Sequence, residues 1–212
     1  MLTRKSRILS IIPKRNKKNI HTVTISNGSS FEVSKEIIQS NSLFEGLELD
    51  ESDFEKIFVR ENYFRVKEAG MRLLSYRMRS KKELNQKLIK KGFSIEIIND
   101  VMIEFEKKEW VDDQKFGLAF SRDQINRNKI GPIALKYKLK EYLDSLELID
   151  QISNNIYSEL DVENIIIKVI EKYPPHKIEA DYNLRRKLIN KLKRKGHYWQ
   201  DIDSAMHKYS NT

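Results

Sequence analysis

A chain of 212 residues, 39% hydrophobic and 33% charged, can form one or two domains and is short for three separate well-filled cores, so an elongated array with shallow cores fits better. Its 40 Lys and Arg against 31 Asp and Glu leave +9, which favours a polyanionic partner, either nucleic acid or an acidic protein groove. With no cysteine there can be no disulfide, thiolate metal site or cysteine nucleophile, as suits a reducing cytoplasmic home, and no apolar run approaches the ~20 residues of a membrane-spanning helix.

Residues 1–19 hold seven Lys or Arg and no acid, and are expected to form a basic mobile arm. A small module, residues 20–60, should follow. There His21 to Ile25 and Ser29 to Val33 alternate around Asn27-Gly28, the signature of a hairpin. A three-residue loop, Ser26 to Gly28, pairs Val23 with Phe31 and gathers Val23, Ile25, Phe31 and Val33 on one face. Gly28 then takes the left-handed conformation at the bulge. From Asp50 the strand pattern fades, and Phe54, Ile57, Phe58 and then Leu73 and Leu74 adopt helical spacing.

The remainder reads as helix in three related units. Lys87-Leu88-Ile89-Lys90-Lys91-Gly92-Phe93 is echoed by Lys191-Leu192-Lys193-Arg194-Lys195-Gly196-His197. At half that offset, Leu84, Lys87, Leu88 and Ile98 correspond to Leu135, Lys138, Leu139 and Ile149. A period of about 52 residues holds three short helices, which bury their stripes against one another and against the neighbouring units. Unit one, residues 61–110, carries a capping box at Ser80-Lys81-Lys82-Glu83, a helix stop at Gly92 and the stripe Ile97, Ile98, Val101, Met102 and Phe105. Trp110 is expected to close it. Unit two, residues 111–158, opens at Asp112-Asp113 with Phe116, Ala119 and Phe120 inward. It breaks at Gly131-Pro132 and resumes with Leu135 and Leu139 before Ser145 caps a third helix. Unit three, residues 159–212, begins at Asp161 with Ile165, Ile166 and Val169, and turns at Tyr173-Pro174-Pro175. The expected fold is mainly α, an elongated tandem array of helix-turn-helix-like three-helix repeats behind a small N-terminal module containing a β-hairpin.

Two basic belts stand out. Arg185, Arg186, Lys187, Lys191, Lys193, Arg194 and Lys195 crowd the middle of unit three without an acid among them, and unit one carries Arg77, Arg79, Lys81, Lys82, Lys87, Lys90 and Lys91. Helical spacing sets Arg185 and Lys195 broadly opposite Leu188 and Leu192, so part of the belt faces water in any case. Lysines before Gly92 and Gly196 also offset the negative end of a helix dipole. As a binding face, each base that neutralises a phosphate releases condensed counterions. Tyr76, Tyr137, Tyr142, Tyr198 and Trp199 lie among bases, where rings could stack on exposed nucleobases, although core packing is the expectation for Trp110 and Trp199.

Asp112-Asp113 is expected to cap a helix rather than to bind a cation. His21, His176, His197 and His207 fall at no metal-ligand spacing, and neither a phosphate-cradling loop nor a Gly-x-Ser-x-Gly elbow occurs. No catalytic residue, cofactor or metal site is therefore expected.

The run Leu74-Ser75-Tyr76-Arg77-Met78-Arg79-Ser80-Lys81-Lys82-Glu83-Leu84, followed by Leu88 and Lys91-Gly92-Phe93, resembles the RecX regulatory proteins that restrain the bacterial RecA recombinase. Trp110-Val111-Asp112-Asp113-Gln114-Lys115-Phe116 and Lys129-Ile130-Gly131-Pro132 continue the resemblance, which covers about residues 63 to 208. The chain departs from the family pattern at Gly117, where alanine is usual, at Glu141-Tyr142-Leu143 in place of a basic-Gly-apolar turn, and at His197, where an aromatic is commoner. The resemblance implies a non-enzymatic regulator, and an unpaired array suggests a monomer. It would lie along the RecA filament on single-stranded DNA, with duplex DNA as a further partner, and inhibit extension, ATP hydrolysis and strand exchange, tempering the SOS response. The two basic belts would be its partner-facing residues. A helical nucleic-acid-binding protein that needs no recombinase is the alternative, because a basic helix in a three-helix unit also suits docking in a groove.

Overall fold

The computed structural model describes residues 5–17 and 19–211; the parts of the expected arm at residues 1–4 and 18 lie outside them. Contacts divide the chain into two compact units, one of residues up to 76 together with 87–105, the other of 77–86 together with residues from 106 on.

The first unit is built on an antiparallel sheet of β1 (Ser6–Pro13), β2 (Ile20–Ile25), β3 (Ser30–Ser34) and β4 (Glu48–Leu49) in the order β3-β2-β1-β4. The hairpin has the expected register, with Val23 opposite Phe31, and Gly28 sits at φ +87° in its three-residue loop. The basic segment is not a free arm, however. Residues 6–13 form a strand between β2 and β4, and Ile8 enters the core. Both sheet edges are closed without further strands. Ile11 N–H donates to Glu45 Oε1 (3.2 Å) and Pro13 offers no donor on one edge; on the other, Ser34 N–H donates to Glu61 Oε2 (2.8 Å).

Helix α1 (Lys35–Ser40) is capped by Ser34, and α2 (Glu51–Tyr76) starts where Asp50 and Asp53 each accept the other's backbone N–H. Ile8, Val23, Ile25, Val33, Ile37 and Ile57 join one core, with Phe31, Phe54 and Phe64 packed against it. The boundary expected at residue 60 therefore falls inside a single 26-residue helix that serves both the sheet and the helical region. Inside this unit Glu61 is buried, accepting from Ser34 Oγ (2.7 Å) and Arg65 Nε (2.7 Å). Further along, α2 lies close on α4 (Ile95–Lys107), for a methyl group at Gly70 would stand 2.7 Å from Phe105. Beside that approach Glu104 accepts from Tyr63 (2.5 Å) and Lys67 (2.8 Å). Burial together with this carboxylate pushes the Tyr63 hydroxyl up to about 12.

Helix α3 (Lys81–Ile89) begins in the second unit and ends in the first. Only half of its capping box forms. Ser80 Oγ accepts from Glu83 N–H (3.2 Å), while the Glu83 carboxylate takes Arg77 (2.5 Å) and Arg79 instead.

In the second unit, α5 (Asp113–Asn128), α6 (Pro132–Lys140) and α7 (Leu146–Ser158) enclose Phe116, Leu135, Leu139, Leu143, Ile149 and Ile152. Ser145 caps α7 as expected. On α5 the buried positions are Phe116, Gly117, Ser121 and Ile125, and Ala119 is exposed, contrary to expectation. A β-carbon at Gly117 would crowd Ile152 Cδ1 and stand 3.3 Å from Leu143 Cδ1, so an alanine there would need the end of the Ile152 side chain to shift. Tyr142, standing in place of a turn glycine, packs against Phe116 and Phe120 at 5.6 and 5.0 Å between ring centroids. The last part contains four helices rather than three: α8 (Val162–Ile170), a short α9 (Pro175–Ala180) started by Pro174-Pro175, α10 (Tyr182–Arg194) and α11 (Trp199–Ser210). Ile166, Ile170, Ile178, Leu188, Leu192 and Ile202 form their core.

Candidate functional site

The fourteen bases singled out in the sequence do not form two equivalent belts. Those around α3 are largely engaged with acids. Arg77 and Arg79 share Glu83, Lys81 Nζ reaches Glu106 (2.9 Å), and Lys82 Nζ meets Asp144 (3.0 Å) and the Lys140 carbonyl (3.0 Å). Arg79 is 8% exposed, which removes it from any partner-facing set. Lys87 is half-buried, and Lys90 and Lys91 are exposed just before Gly92. The i, i+4 pair of Arg79 with Glu83 is legible in the sequence; Glu106 and Asp144, far along the chain, are not.

The α10 belt is different. Asp181 caps the helix, accepting from Asn183 and Leu184 N–H at 2.9 and 3.0 Å, and Leu188 and Leu192 bury one face. The opposite face carries Arg186, Lys187, Lys193 and Arg194, which are exposed. Arg185 and Lys195, expected opposite the leucines, lie three residues from Leu188 and Leu192 on the buried side of the helix and, like Lys191, are half-buried. Asn183, Arg186, Lys187, Asn190, Lys193 and Arg194 line a shallow open depression, a single stripe at helical spacing. Among the described residues, none of the seven bases has a carboxylate within 4.0 Å. Burial, then Lys191 and Lys129, lowers the Lys195 ammonium below the usual lysine range, as expected where positive charge accumulates.

The belt is held in a fixed orientation by a backbone seam. At the end of α10, Gly196 (φ +83°) donates to the Lys193 carbonyl (2.9 Å) and His197 N–H to the Leu192 carbonyl (3.3 Å). Gly92 and Phe93 close α3 with the same pair of bonds, to Ile89 and Leu88. The carbonyls of Lys195 and Gly196 then accept from Gly131 N–H (2.8 Å) and Ile133 N–H (3.1 Å), which open α6. The last turn of one helix thus satisfies the free donors of another, negative end to positive end. His197, 2% exposed, adds a bond from Nε2 to the Lys129 carbonyl (3.0 Å), and Lys195 Nζ donates to the Asn128 carbonyl. Because a carbonyl only accepts, Nε2 carries the proton. Burial lowers the His197 ring below the usual histidine range.

The adjacent acids cap two different helices. Asp112 accepts from Lys115 N–H (2.9 Å) at the start of α5, and this bond holds its carboxyl below the usual range. Asp113 accepts from Lys81 N–H (2.8 Å) at the start of α3, and its burial raises it. Among the described residues no group of three His, Asp or Glu could hold a metal ion, and no helix is long and apolar enough to cross a membrane. The two tryptophans expected in the core are exposed: Trp110 by 41%, and Trp199 by 51% with Lys193 Nζ 4.9 Å from its ring centroid.

A family model for the first three-helix domain of RecX matches residues 67–105. The regulatory protein RecX of Geobacillus sp. (strain WCH70) is 33% identical over 128 residues, 60% of this chain and 47% of that protein, so the chain spans about half of that relative's length. The regulatory protein RecX of Clostridium tetani (strain Massachusetts / E88) is 25% identical over 201 residues, 93% of this chain and 91% of that protein. Two solved structures share the fold, each at 18% identity. A crystal structure of regulatory protein RecX gives a TM-score of 0.74 over 95% of this chain and 99% of that one. RecX from Lactobacillus salivarius gives 0.66 over 72% and 99%. The three-helix domain found where the sequence places its Ser-x-x-Glu-Leu and Lys-Gly-Phe segments, a relative spanning nine-tenths of the chain and the common fold together make this chain similar to the RecX regulatory proteins over most of its length.

Proposed function

We propose that this chain regulates the RecA recombinase, binding its filament on single-stranded DNA and depressing filament extension, ATP hydrolysis and strand exchange, and so tempering recombination and the SOS response. The observation that carries the reading is the α10 belt, seven bases without a carboxylate partner among the described residues, fixed to α6 by backbone hydrogen bonds. A polyanionic filament supplies the missing counter-charge, and several modest contacts along a repeated partner add through effective concentration. The role is regulatory rather than enzymatic, played by a monomer in the cytoplasm. The decisive assay is single-strand-dependent ATP hydrolysis by the cognate RecA as the chain is titrated in, with its affinity for bare DNA measured at the same salt. Inhibition well below saturation of bare DNA supports filament engagement. Loss of hydrolysis only once the DNA is coated favours a nucleic-acid binder acting without recombinase, a reading that the same belt supports.

A further inference from the structure

The most telling surface group outside the basic side chains themselves is Trp199. Large aromatic rings at a surface cost hydration that a soluble chain usually avoids, yet Trp199 stands 51% exposed at the first position of α11. Lys193 Nζ lies 4.9 Å from its centroid, so the ring is positioned beside the exposed row of α10. Tyr182, 74% exposed, begins the same helix about 16 Å of rise before Lys193, with Arg186 and Asn190 between them at helical spacing. The surface therefore offers flat rings at both ends of a stripe of cations and amides. A protein carboxylate partner would use the cations and leave the rings idle. A duplex would present phosphates to the cations while keeping its base faces stacked inside. A single strand offers both phosphates and free base faces.

We infer that Trp199 is a stacking site for an unpaired base of a single-stranded nucleic acid whose phosphates run along Arg186, Lys187 and Arg194. This deepens the reading of the α10 belt given above, by assigning that face to the nucleic-acid strand rather than to the recombinase. Lys193 holds the ring from the cation side and leaves the opposite face to the base.

The test uses the full chain with Trp110→Phe, so that Trp199 is the sole indole, and two strands of equal length, oligothymidylate and an abasic sugar-phosphate. Oligothymidylate should quench the Trp199 emission and bind about tenfold more tightly than the abasic strand. Trp199→Leu should lose that advantage, while Trp199→Phe, which restores a ring, should recover most of it. The salt dependence should be the same in all three, because phosphate contacts are untouched. Circular dichroism checks that each variant is folded. Equal affinity for the two strands, or binding without quenching, overturns the inference. If neither strand binds while RecA hydrolysis is still depressed, the inference falls and the regulatory reading stands; quenching by oligothymidylate without any effect on RecA leaves the opposite outcome.

Discussion

Replacing Gly131 by alanine tests whether the backbone seam holds the α10 belt in place. Gly131 has φ −94°, an ordinary angle for alanine, so the substitution carries no conformational strain of its own. Its new methyl group would instead stand 2.5 Å from the Gly196 carbonyl carbon and from the His197 nitrogen, backbone atoms that cannot rotate away. The helix ends must separate. That strains or breaks the 2.8 Å bond from Gly131 and the 3.1 Å bond from Ile133, worth about 1 kcal/mol each, and adds an overpacking cost of about 1–3 kcal/mol. A loss of roughly 3–5 kcal/mol is expected. Gly92→Ala is the control, since it has φ +87° and nothing within 4 Å of the added carbon, so only the left-handed backbone penalty of about 1–2 kcal/mol applies. Urea unfolding followed by circular dichroism measures both. A Gly131→Ala midpoint equal to that of the unmodified chain, or below it by no more than Gly92→Ala, refutes the idea that a close backbone approach fixes the seam.

Converting Arg185, Arg186, Lys191 and Arg194 together to alanine should leave the helical circular dichroism intact and weaken RecA inhibition; the slope of log affinity for single-stranded DNA against log salt should fall by about 0.7 for each base that meets a phosphate. Glu61→Ala leaves Ser34 N–H and Oγ and the Arg65 guanidinium without their buried acceptor, and thermal unfolding should report a loss of about 3 kcal/mol. His197 has its folded value lowered from 6.5, so below about pH 6.5 the unfolded chain binds the extra proton and stability falls with pH. His197→Phe, whose ring does not titrate, should show a shallower fall in Tm between pH 7 and about pH 5; equal slopes for the two chains would place the acid sensitivity elsewhere.

Much of the helical architecture was readable because local chemistry and tertiary structure agree. Asp112, Ser145 and Asp161 each cap where an acid or serine precedes an apolar run, and Gly92 and Gly196 stop their helices with the same pair of bonds. The hairpin register followed from a single question, which loop length puts Val23 and Phe31 on one face. Strand β1 was hidden for a physical reason. A bulge between Ile8 and Ser10 shifts its pairing, so the inward residues Ile8 and Ile11 are three apart and the period of two is broken, while the surrounding bases suggest a solvated arm. Site residues were harder to read. Composition marked fourteen bases, but only folding reveals that acids at 106 and 144 meet the lysines of α3 and that, among the described residues, no acid pairs with the bases of α10. Large aromatic side chains are usually buried, so the exposure of Trp199 had no signal beyond the lysines near it in sequence.

The fastening of α3 bears on whether the three-helix domain at residues 67–105 is a folding module. The start of that helix depends on residues outside the segment: Asp113 takes the Lys81 N–H, Glu106 the Lys81 ammonium, and Lys140 and Asp144 the Lys82 ammonium. A fragment ending at residue 105 would forfeit all four partners, and its first turn would fray into solvent. The repeat is therefore a unit of descent in the sequence without being a unit of autonomy in folding, and fragments intended to dissect the chain would keep α3 intact only if they run on through residue 144.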